Sequence, residues 1–190
     1  MEILLQSLFA GLWLAWLAYW IISARGVKPV QRYESAASRV AHSAPLLVAV
    51  YLMAAPRTPP GWLTQRFMPF TLSGYAAGLL IAVLGLALTV WARRILGTNW
   101  SATVTVKQDH ELVRAGPYRY VRHPIYSGLL LAFAGSALAR GEWRGILALA
   151  VALFAFWLKW RTEERMMNET FGAAYRDYAT RTSAVIPHIF

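Results

Sequence analysis

The stretch "GPYRYVRHPIYSG", Gly116–Gly128, is followed directly by the apolar run "LLLAFAGSALA", Leu129–Ala139. The first part holds two arginines, a histidine, three tyrosines and two prolines. Proline is favoured in the first turn of a helix, where its missing N–H needs no partner, so Pro124 predicts the start of an apolar helix. Free N–H groups and a partial positive charge at that start favour binding of a phosphate or carboxylate. An ordinary basic membrane anchor with interfacial tyrosines is the alternative interpretation.

The composition indicates a membrane protein. Of 190 residues, 57% are hydrophobic and 15% are charged, whereas soluble domains have about 45–50% apolar and about 25% charged residues. Nine tryptophans and nine tyrosines are typical of the aromatic belts at membrane interfaces. The net charge of +10 is explained by anchoring at an anionic leaflet, because the basic residues flank apolar segments. No nucleic-acid partner is therefore expected.

Five apolar stretches free of Asp, Glu, Lys and Arg predict the fold, since a helix needs roughly 20 apolar residues to cross the hydrocarbon core. They are Ile3–Ala24, Val40–Pro56, Phe67–Ala92, His123–Ala139 and Gly145–Leu158. The sequence therefore predicts an all-α membrane protein of one domain with about five transmembrane helices. Residues 1–92 would hold spans 1–3, and residues 93–190 would form a cofactor-binding core. The short turn "ARGEWRG", Ala139–Gly145, predicts an antiparallel hairpin of spans 4 and 5.

Lysine and arginine predict the orientation of these spans, because cytoplasmic loops carry an excess of them. Fifteen lie in Arg25–Arg39, in Arg93–Arg122 and from Lys159 onward. The other four are Arg57, Arg66, Arg140 and Arg144. The N-terminus is thus expected outside, with the C-terminus in the cytoplasm.

The absence of cysteine excludes disulfides, thiolate nucleophiles and cysteine-bound metals. The four histidines do not follow the usual metal-binding spacings, so no metal site is expected; they are His42, His110, His123 and His188.

The tail Arg161–Arg181 predicts an amphipathic cytoplasmic helix that carries Glu163 and Glu164 near the membrane exit. Salt bridges of these glutamates to Lys159, Arg161 or Arg165 are one explanation. A cationic ligand, or the hydroxyls of a ribose, is the other. Three aromatic residues at helical spacing are expected to pack rather than to bind a ligand: Phe171, Tyr175 and Tyr178. Together with the anion site at Pro124, the glutamates indicate a ligand with an anionic and a cationic part. S-adenosylmethionine fits that description.

"HELVRAGPYRYVRHPIYSG" and, some 35 residues later, "EERMMNETFGAAYRDYATR" resemble the isoprenylcysteine carboxyl methyltransferase family and the related phospholipid N-methyltransferases. The resemblance covers about residues 97–190. It implies an integral membrane enzyme that uses S-adenosylmethionine and methylates a lipidic or prenylated acceptor. The residues that it implies for cofactor binding are His110, Glu111, Leu112, Val113, Tyr118, His123, Pro124, Tyr126, Glu163 and Glu164.

The resemblance also implies which residues would position the methyl acceptor. An arginine that the eukaryotic prenylcysteine enzymes carry is replaced here by Thr89, and Arg93 one helical turn on could substitute for it. Lys159 stands where the family has another arginine. Arg93 and Lys159, with Arg94 as a further candidate, are thus expected to position the acceptor. The short chain looks more prokaryotic than eukaryotic, which predicts a prokaryotic inner membrane.

Carboxyl O-methylation is the favoured chemistry, because a carboxylate is already anionic at neutral pH and needs mainly positioning and exclusion of water. N-methylation of an amine lipid is one alternative and requires a group that takes a proton. A sterol-reductase-like enzyme that uses NADPH is another, although the two glutamates would repel a 2′-phosphate. A small membrane scaffold is the non-enzymatic alternative. The acceptor and the oligomeric state do not follow from the sequence.

Overall fold

The computed structural model describes residues 2–55 and 61–187, with side chains from residue 7 onward. Arg57 and His188 lie outside these residues. The chain is mostly helical and carries one small sheet. Its helices are α1 (Glu2–Ser23), α2 (Ala36–Ala54), α3 (Leu72–Leu96), α4 (Pro124–Arg140), α5 (Trp143–Phe171) and α6 (Ala173–Thr180), and its strands are β1 (Val30–Tyr33) and β2 (Thr105–Lys107).

Helix α4 begins at Pro124, as the sequence predicts. It ends at Gly141, which adopts a left-handed conformation (φ 66°) that glycine tolerates without steric cost. Two residues separate α4 from α5, so the two helices form the predicted hairpin.

The prediction of a separate tail helix beginning near Arg161 is wrong. Helix α5 continues through Arg161 to Phe171, because residues 161–171 contain no glycine or proline and the next glycine is Gly172. Gly172 has a φ of 52° and breaks the helix, and the short α6 follows it.

Helices α3 and α4 approach each other at backbone distance. A Cβ atom built at Gly85 would lie 2.5 Å from the carbonyl oxygen of Gly128. One built at Gly78 would lie 2.5 Å from the carbonyl oxygen of Gly135. Small residues at helix interfaces permit this close packing within membranes. The pairing of Gly78 with Gly135 and of Gly85 with Gly128 makes the two helices antiparallel.

The prediction of an all-α protein is wrong in one respect, since β1 and β2 form a two-stranded antiparallel sheet. Arg32 pairs with Val106, and Tyr33 pairs with Thr105. On one face of β2, Val104 and Val106 pack with Met166 of α5. The sheet joins the loop after α1 to the segment that follows α3. Strands of four and three residues are too short for alternation of polar and apolar residues to identify them.

Three helices, α2, α3 and α5, are long and apolar enough to cross a membrane by length and composition. Over the part of α1 with described side chains, Ser7–Ser23, the helix is apolar but shorter. Helix α4 has 17 residues. The protein is therefore an integral membrane protein by its composition and helices. The count of five spans stays a prediction.

Candidate active site

A cavity of about 320 Å³ lies between the helices and the segment that joins α3 to α4. This volume is at the lower end of the range for small-molecule sites, about 300–1,000 Å³. Residues from α1, α2, α4 and α5, from β2 and from the tail line it. Its lining combines polar residues near the start of α4 with apolar residues of the helix bundle.

The polar side is built around the imidazole of His123, which lies between two glutamates of α5. Its Nδ1 is 3.3 Å from Glu163 Oε2, and its Nε2 is 3.3 Å from Glu164 Oε1. Both ring nitrogens can donate only when the ring is protonated. Burial alone would lower the pKa of His123, but hydrogen bonds and charges from the two glutamates outweigh it and raise that pKa above its ordinary value. We call His123, Glu163 and Glu164 the histidine–glutamate cluster.

The two glutamates make different further contacts. Glu163 accepts a 2.5 Å hydrogen bond from the hydroxyl of Tyr126 and lies on the cavity surface. Glu164 accepts from Arg122 Nε at 2.7 Å and lies behind that surface. Neither forms the salt bridge to Lys159, Arg161 or Arg165 that was the simpler explanation; their partners come from residues 122–126 instead.

The start of α4 thus meets carboxylates of the protein itself. The sequence predicts that an anionic end of a ligand lies at the start of α4. In the structure Glu163 and Glu164 of α5 already face His123, the residue before that helix. Glu163 is the carboxylate on the cavity surface at this corner and can contact a cationic group, while Glu164 is paired with Arg122 and His123.

Aromatic rings continue from the histidine–glutamate cluster into the bundle. The ring of Tyr126 stacks with His123 at 5.4 Å and with Phe156 at 5.0 Å. Trp160 stacks with His123 at 6.4 Å. Tyr126 is therefore buried among aromatic rings, and it lines the cavity.

The tail is hydrogen-bonded to the segment before α4. Ser183 and Ala184 accept hydrogen bonds from the backbone N–H groups of Arg122 and His123 at 2.8 and 2.9 Å. Arg122 also donates to the carbonyl oxygens of Ala179 and Thr182. These bonds hold the end of the chain against the segment before α4.

Two tyrosines of α6 reach the cavity. Tyr178 donates from its hydroxyl to Tyr118 O at 2.7 Å, and burial raises its pKa to about 12. Tyr175 and Tyr178 both line the cavity, so packing is not the whole of their role. Phe171 contacts His110 edge-on at 5.6 Å.

The segment after β2 forms the opposite polar wall. His110 Nδ1 accepts from Lys107 N at 3.2 Å, which leaves the proton of a neutral ring on Nε2. Burial, together with the charges of Lys28 and Lys107, lowers the pKa of His110. The cavity surface includes His110, Glu111, Leu112, Val113 and Tyr118.

Tryptophans form the apolar wall. Trp16 and Trp20 of α1 stack at 4.8 Å, and Trp20 meets Trp100 edge-on at 5.5 Å. Trp16 donates from Nε1 to Thr89 Oγ1 at 2.7 Å, which holds α1 against α3. All three tryptophans line the cavity, with Leu46 of α2 and Leu129 of α4.

The three basic residues expected to position an acceptor lie in different places. Lys159 lines the cavity, donates to Ala102 O at 2.8 Å and has its ammonium 5.6 Å from the ring of Tyr126. Arg93 is buried off the cavity surface, donates to the carbonyl oxygens of Ser23 and Gly97 and stacks on Trp100 at 4.6 Å. Arg94 is exposed. The position of Arg93 suits it to hold Trp100 and the end of α1 in place.

Nine of the twelve site residues predicted from the sequence line the cavity: His110, Glu111, Leu112, Val113, Tyr118, His123, Tyr126, Lys159 and Glu163. Pro124 is buried, and Glu164 Oε1 lies 3.3 Å from the ring of His123. The tryptophans and Thr105 were not predicted as site residues. Trp13, Trp16 and Trp20 follow helical spacing on one face of α1, a signal that could have identified that wall. Within the described residues no group of three His, Asp or Glu side chains has the arrangement of a metal site.

Comparison with known proteins identifies the family. The sequence model of the phospholipid methyltransferase family matches residues 73–174, more than half of the chain. This chain belongs to that family. It is similar to protein-S-isoprenylcysteine O-methyltransferase B of Arabidopsis thaliana, with 29% identity over 59% of this chain and 58% of that protein. It is also similar to the protein-S-isoprenylcysteine O-methyltransferase of Saccharomyces cerevisiae, with 31% identity over 59% of this chain and 48% of that protein.

A solved structure supports the fold. The eukaryotic intramembrane Ras methyltransferase ICMT, an isoprenylcysteine carboxyl methyltransferase, aligns with a TM-score of 0.51 and 26% identity. The alignment covers 80% of this chain and 52% of that protein. The chain thus spans about half of the length of the relatives that it matches.

Proposed function

We propose that the chain is a methyltransferase that uses S-adenosylmethionine and methylates a lipidic acceptor at the membrane, with carboxyl O-methylation of an isoprenylcysteine-type substrate as the favoured reaction. The observation that carries this proposal is the two-sided cavity. Its polar side holds the histidine–glutamate cluster, and its apolar side is the wall of Trp16, Trp20 and Trp100. A water-soluble donor and a lipid-soluble acceptor can meet there without either entering the wrong solvent.

The chemistry of the cavity fits the cofactor. S-adenosylmethionine supplies an electrophilic methyl group on a sulfonium and carries an ammonium besides. Glu163 offers a carboxylate on the cavity surface, where Tyr126 and His123 hold it in one orientation. We propose that Glu163 binds the cationic part, while Tyr118 and residues 110–113 line the remainder. Glu164 and Arg122 act behind this surface, because they fix the ring of His123 and the tail.

Lys159 is the proposed group that positions the acceptor. An ammonium has three donors, and Ala102 O uses one of them among the hydrogen bonds of residues 2–55 and 61–187. The remaining donors can hold a carboxylate, which needs no base because it is already ionised at neutral pH.

N-methylation of an amine lipid is the second candidate. The description of the matching family, phospholipid methyltransferase, favours it, and Glu163 could attract a cationic headgroup. An amine acceptor must lose a proton, and it would be repelled by Lys159. A cation at residue 159 therefore favours carboxyl methylation and disfavours N-methylation.

Transfer of a labelled methyl group distinguishes the two candidates. Purified protein in vesicles is supplied with methyl-labelled S-adenosylmethionine and either a farnesylated cysteine with a free carboxylate or phosphatidylethanolamine. Carboxyl methylation gives a product that releases methanol in mild base, whereas N-methylation gives a base-stable product. We expect Lys159→Met to raise KM for the carboxylate acceptor roughly tenfold, and Lys159→Arg to restore it. Arg161→Met, which removes a cation stacked on Trp157, is the matched control. Base-stable label in phosphatidylethanolamine alone would overturn the favoured reaction.

The orientation in the membrane is part of the proposal. Fifteen basic residues on one side of the predicted spans against four on the other support an orientation with the active site in the cytoplasm and the N-terminus outside. Tags at the two termini should report opposite sides of a prokaryotic inner membrane. Both tags on one side would mean an even number of spans and would contradict the count of five.

A further inference from the structure

Thr105 carries a buried hydroxyl that the proposed function does not yet use. The residue is 6% exposed and lines the cavity. Its Oγ1 has no hydrogen-bond partner among residues 2–55 and 61–187. A buried polar atom left without a partner costs about 1–3 kcal/mol, so each such atom requires an explanation.

Strand geometry explains why this hydroxyl faces the cavity. Successive side chains of a strand point to opposite faces. Val104 and Val106 pack with Met166 on one face of β2, so Thr105 belongs to the other. The pairing of Thr105 with Tyr33 of β1 fixes its backbone, so its position is determined by the sheet.

His110 supplies a second donor at the same wall. Its Nδ1 is engaged by Lys107 N, so its Nε2 carries the proton of the neutral ring. Lys28 lies beside this wall, where it donates to Asp109 O at 2.6 Å and to Asn99 Oδ1 at 3.1 Å and pairs with Glu111 at 3.6 Å. The wall formed by β2 and the residues after it therefore offers hydroxyl and N–H donors to the cavity, whereas Glu163 offers a carboxylate.

We propose that Thr105 and His110 form a two-donor subsite that binds a hydrogen-bond acceptor atom of the cofactor. This inference rests on the proposed function, and it adds Thr105 to the residues that contact the ligand. The acceptor is either a ring nitrogen or hydroxyl of the adenosine, or a carboxylate oxygen of the amino-acid end. Each of these groups offers lone pairs to the hydroxyl of Thr105 and to the Nε2–H of His110.

Two substitutions at one position test the proposal. Thr105→Val keeps the shape of the side chain and removes the hydroxyl, whereas Thr105→Ser keeps the hydroxyl. We expect Thr105→Val to weaken binding of S-adenosylhomocysteine about fivefold, the factor for a hydrogen bond of about 1 kcal/mol. Thr105→Ser should stay within about twofold of the unsubstituted protein. Thr64→Val, at an exposed hydroxyl that donates to Gly61 O, is the control.

Thermal unfolding without ligand gives a readout that separates binding from folding. Thr105→Val removes an unpaired buried hydroxyl, so the unfolding midpoint should stay the same or rise while affinity falls. A purely structural role would lower both together. Titration with 5′-methylthioadenosine, which lacks the amino-acid end, then identifies the acceptor atom. An equal loss of affinity for both ligands indicates the adenosine, and a loss confined to S-adenosylhomocysteine indicates the carboxylate.

Unchanged affinity in folded Thr105→Val would overturn this inference and leave the proposed function intact. An equal loss in Thr105→Ser would overturn it as well, because packing and not the hydroxyl would then be responsible. An unsubstituted protein that does not bind S-adenosylhomocysteine would overturn the proposed function itself.

Discussion

The contact between α3 and α4 and the histidine–glutamate cluster are both tightly packed, but different forces hold them. Between the helices, Gly78 and Gly85 meet Gly135 and Gly128 with no side chain between them. Dispersion and the exclusion of lipid stabilise that contact, which has no charge. At the start of α4, His123 is held by hydrogen bonds and charge. The first region supplies a rigid frame, and the second supplies groups whose charge a ligand can use.

The glycine contact should be the more sensitive of the two regions to added volume. Gly85→Leu would place its Cβ 2.5 Å from a backbone oxygen that cannot move without shifting α4. We expect a loss of about 3 kcal/mol in the free energy of unfolding. It would be measured as a large fall in the thermal unfolding midpoint of the detergent-solubilised protein. Gly11→Leu is the matched control, since a Cβ at Gly11 of α1 meets no atom within 4 Å. Equal stability of the two variants would mean that α3 and α4 are not in backbone contact.

Removal of the imidazole should have a smaller effect. His123→Ala leaves Glu163 and Glu164 without their shared partner, and we expect a cost of about 2–3 kcal/mol. This is below the usual cost for a fully buried pair, because the carboxylates are 25% and 28% exposed. Arg32→Ala breaks the exposed pair with Glu169 and should change stability by less than about 1 kcal/mol. A similar small change in His123→Ala would show that the cluster adds nothing to stability.

The two regions should also differ in their response to pH, which is the smallest effect. The raised pKa of His123 means that the folded state binds its proton more tightly than the unfolded state. Its contribution to stability is complete below the ordinary pKa of about 6.5 and is lost as pH rises through the higher folded value. The unfolding midpoint should therefore fall as pH rises above about 6.5, and His123→Gln should flatten that decline. An identical slope in His123→Gln would assign the pH dependence to other groups.

The same comparison explains how far the sequence could predict the structure. Pro124 fixes the start of α4 through a local rule, and the hairpin follows from the short turn at Gly141. The partners of Glu163 and Glu164 could not be predicted locally, because they come from a segment some forty residues earlier. The glycine contact depends on two helices meeting in register, although the spacing of seven between Gly78 and Gly85 and between Gly128 and Gly135 was visible. Thr105 could not be identified as a site residue from the sequence, because only the packed structure shows that its hydroxyl is buried.

The central claim is that Glu163 binds the cationic part of the cofactor in the cavity, and calorimetric titration with S-adenosylhomocysteine tests it most directly. That ligand keeps the ammonium, so Glu163→Gln should weaken binding by about 1–3 kcal/mol, the usual range for a charge-assisted contact. Glu169→Gln, on the exposed side of the same helix, should bind like the unsubstituted protein. A folded Glu163→Gln variant with an unchanged Kd would contradict the claim and make Glu163 a structural partner of His123 and Tyr126 alone.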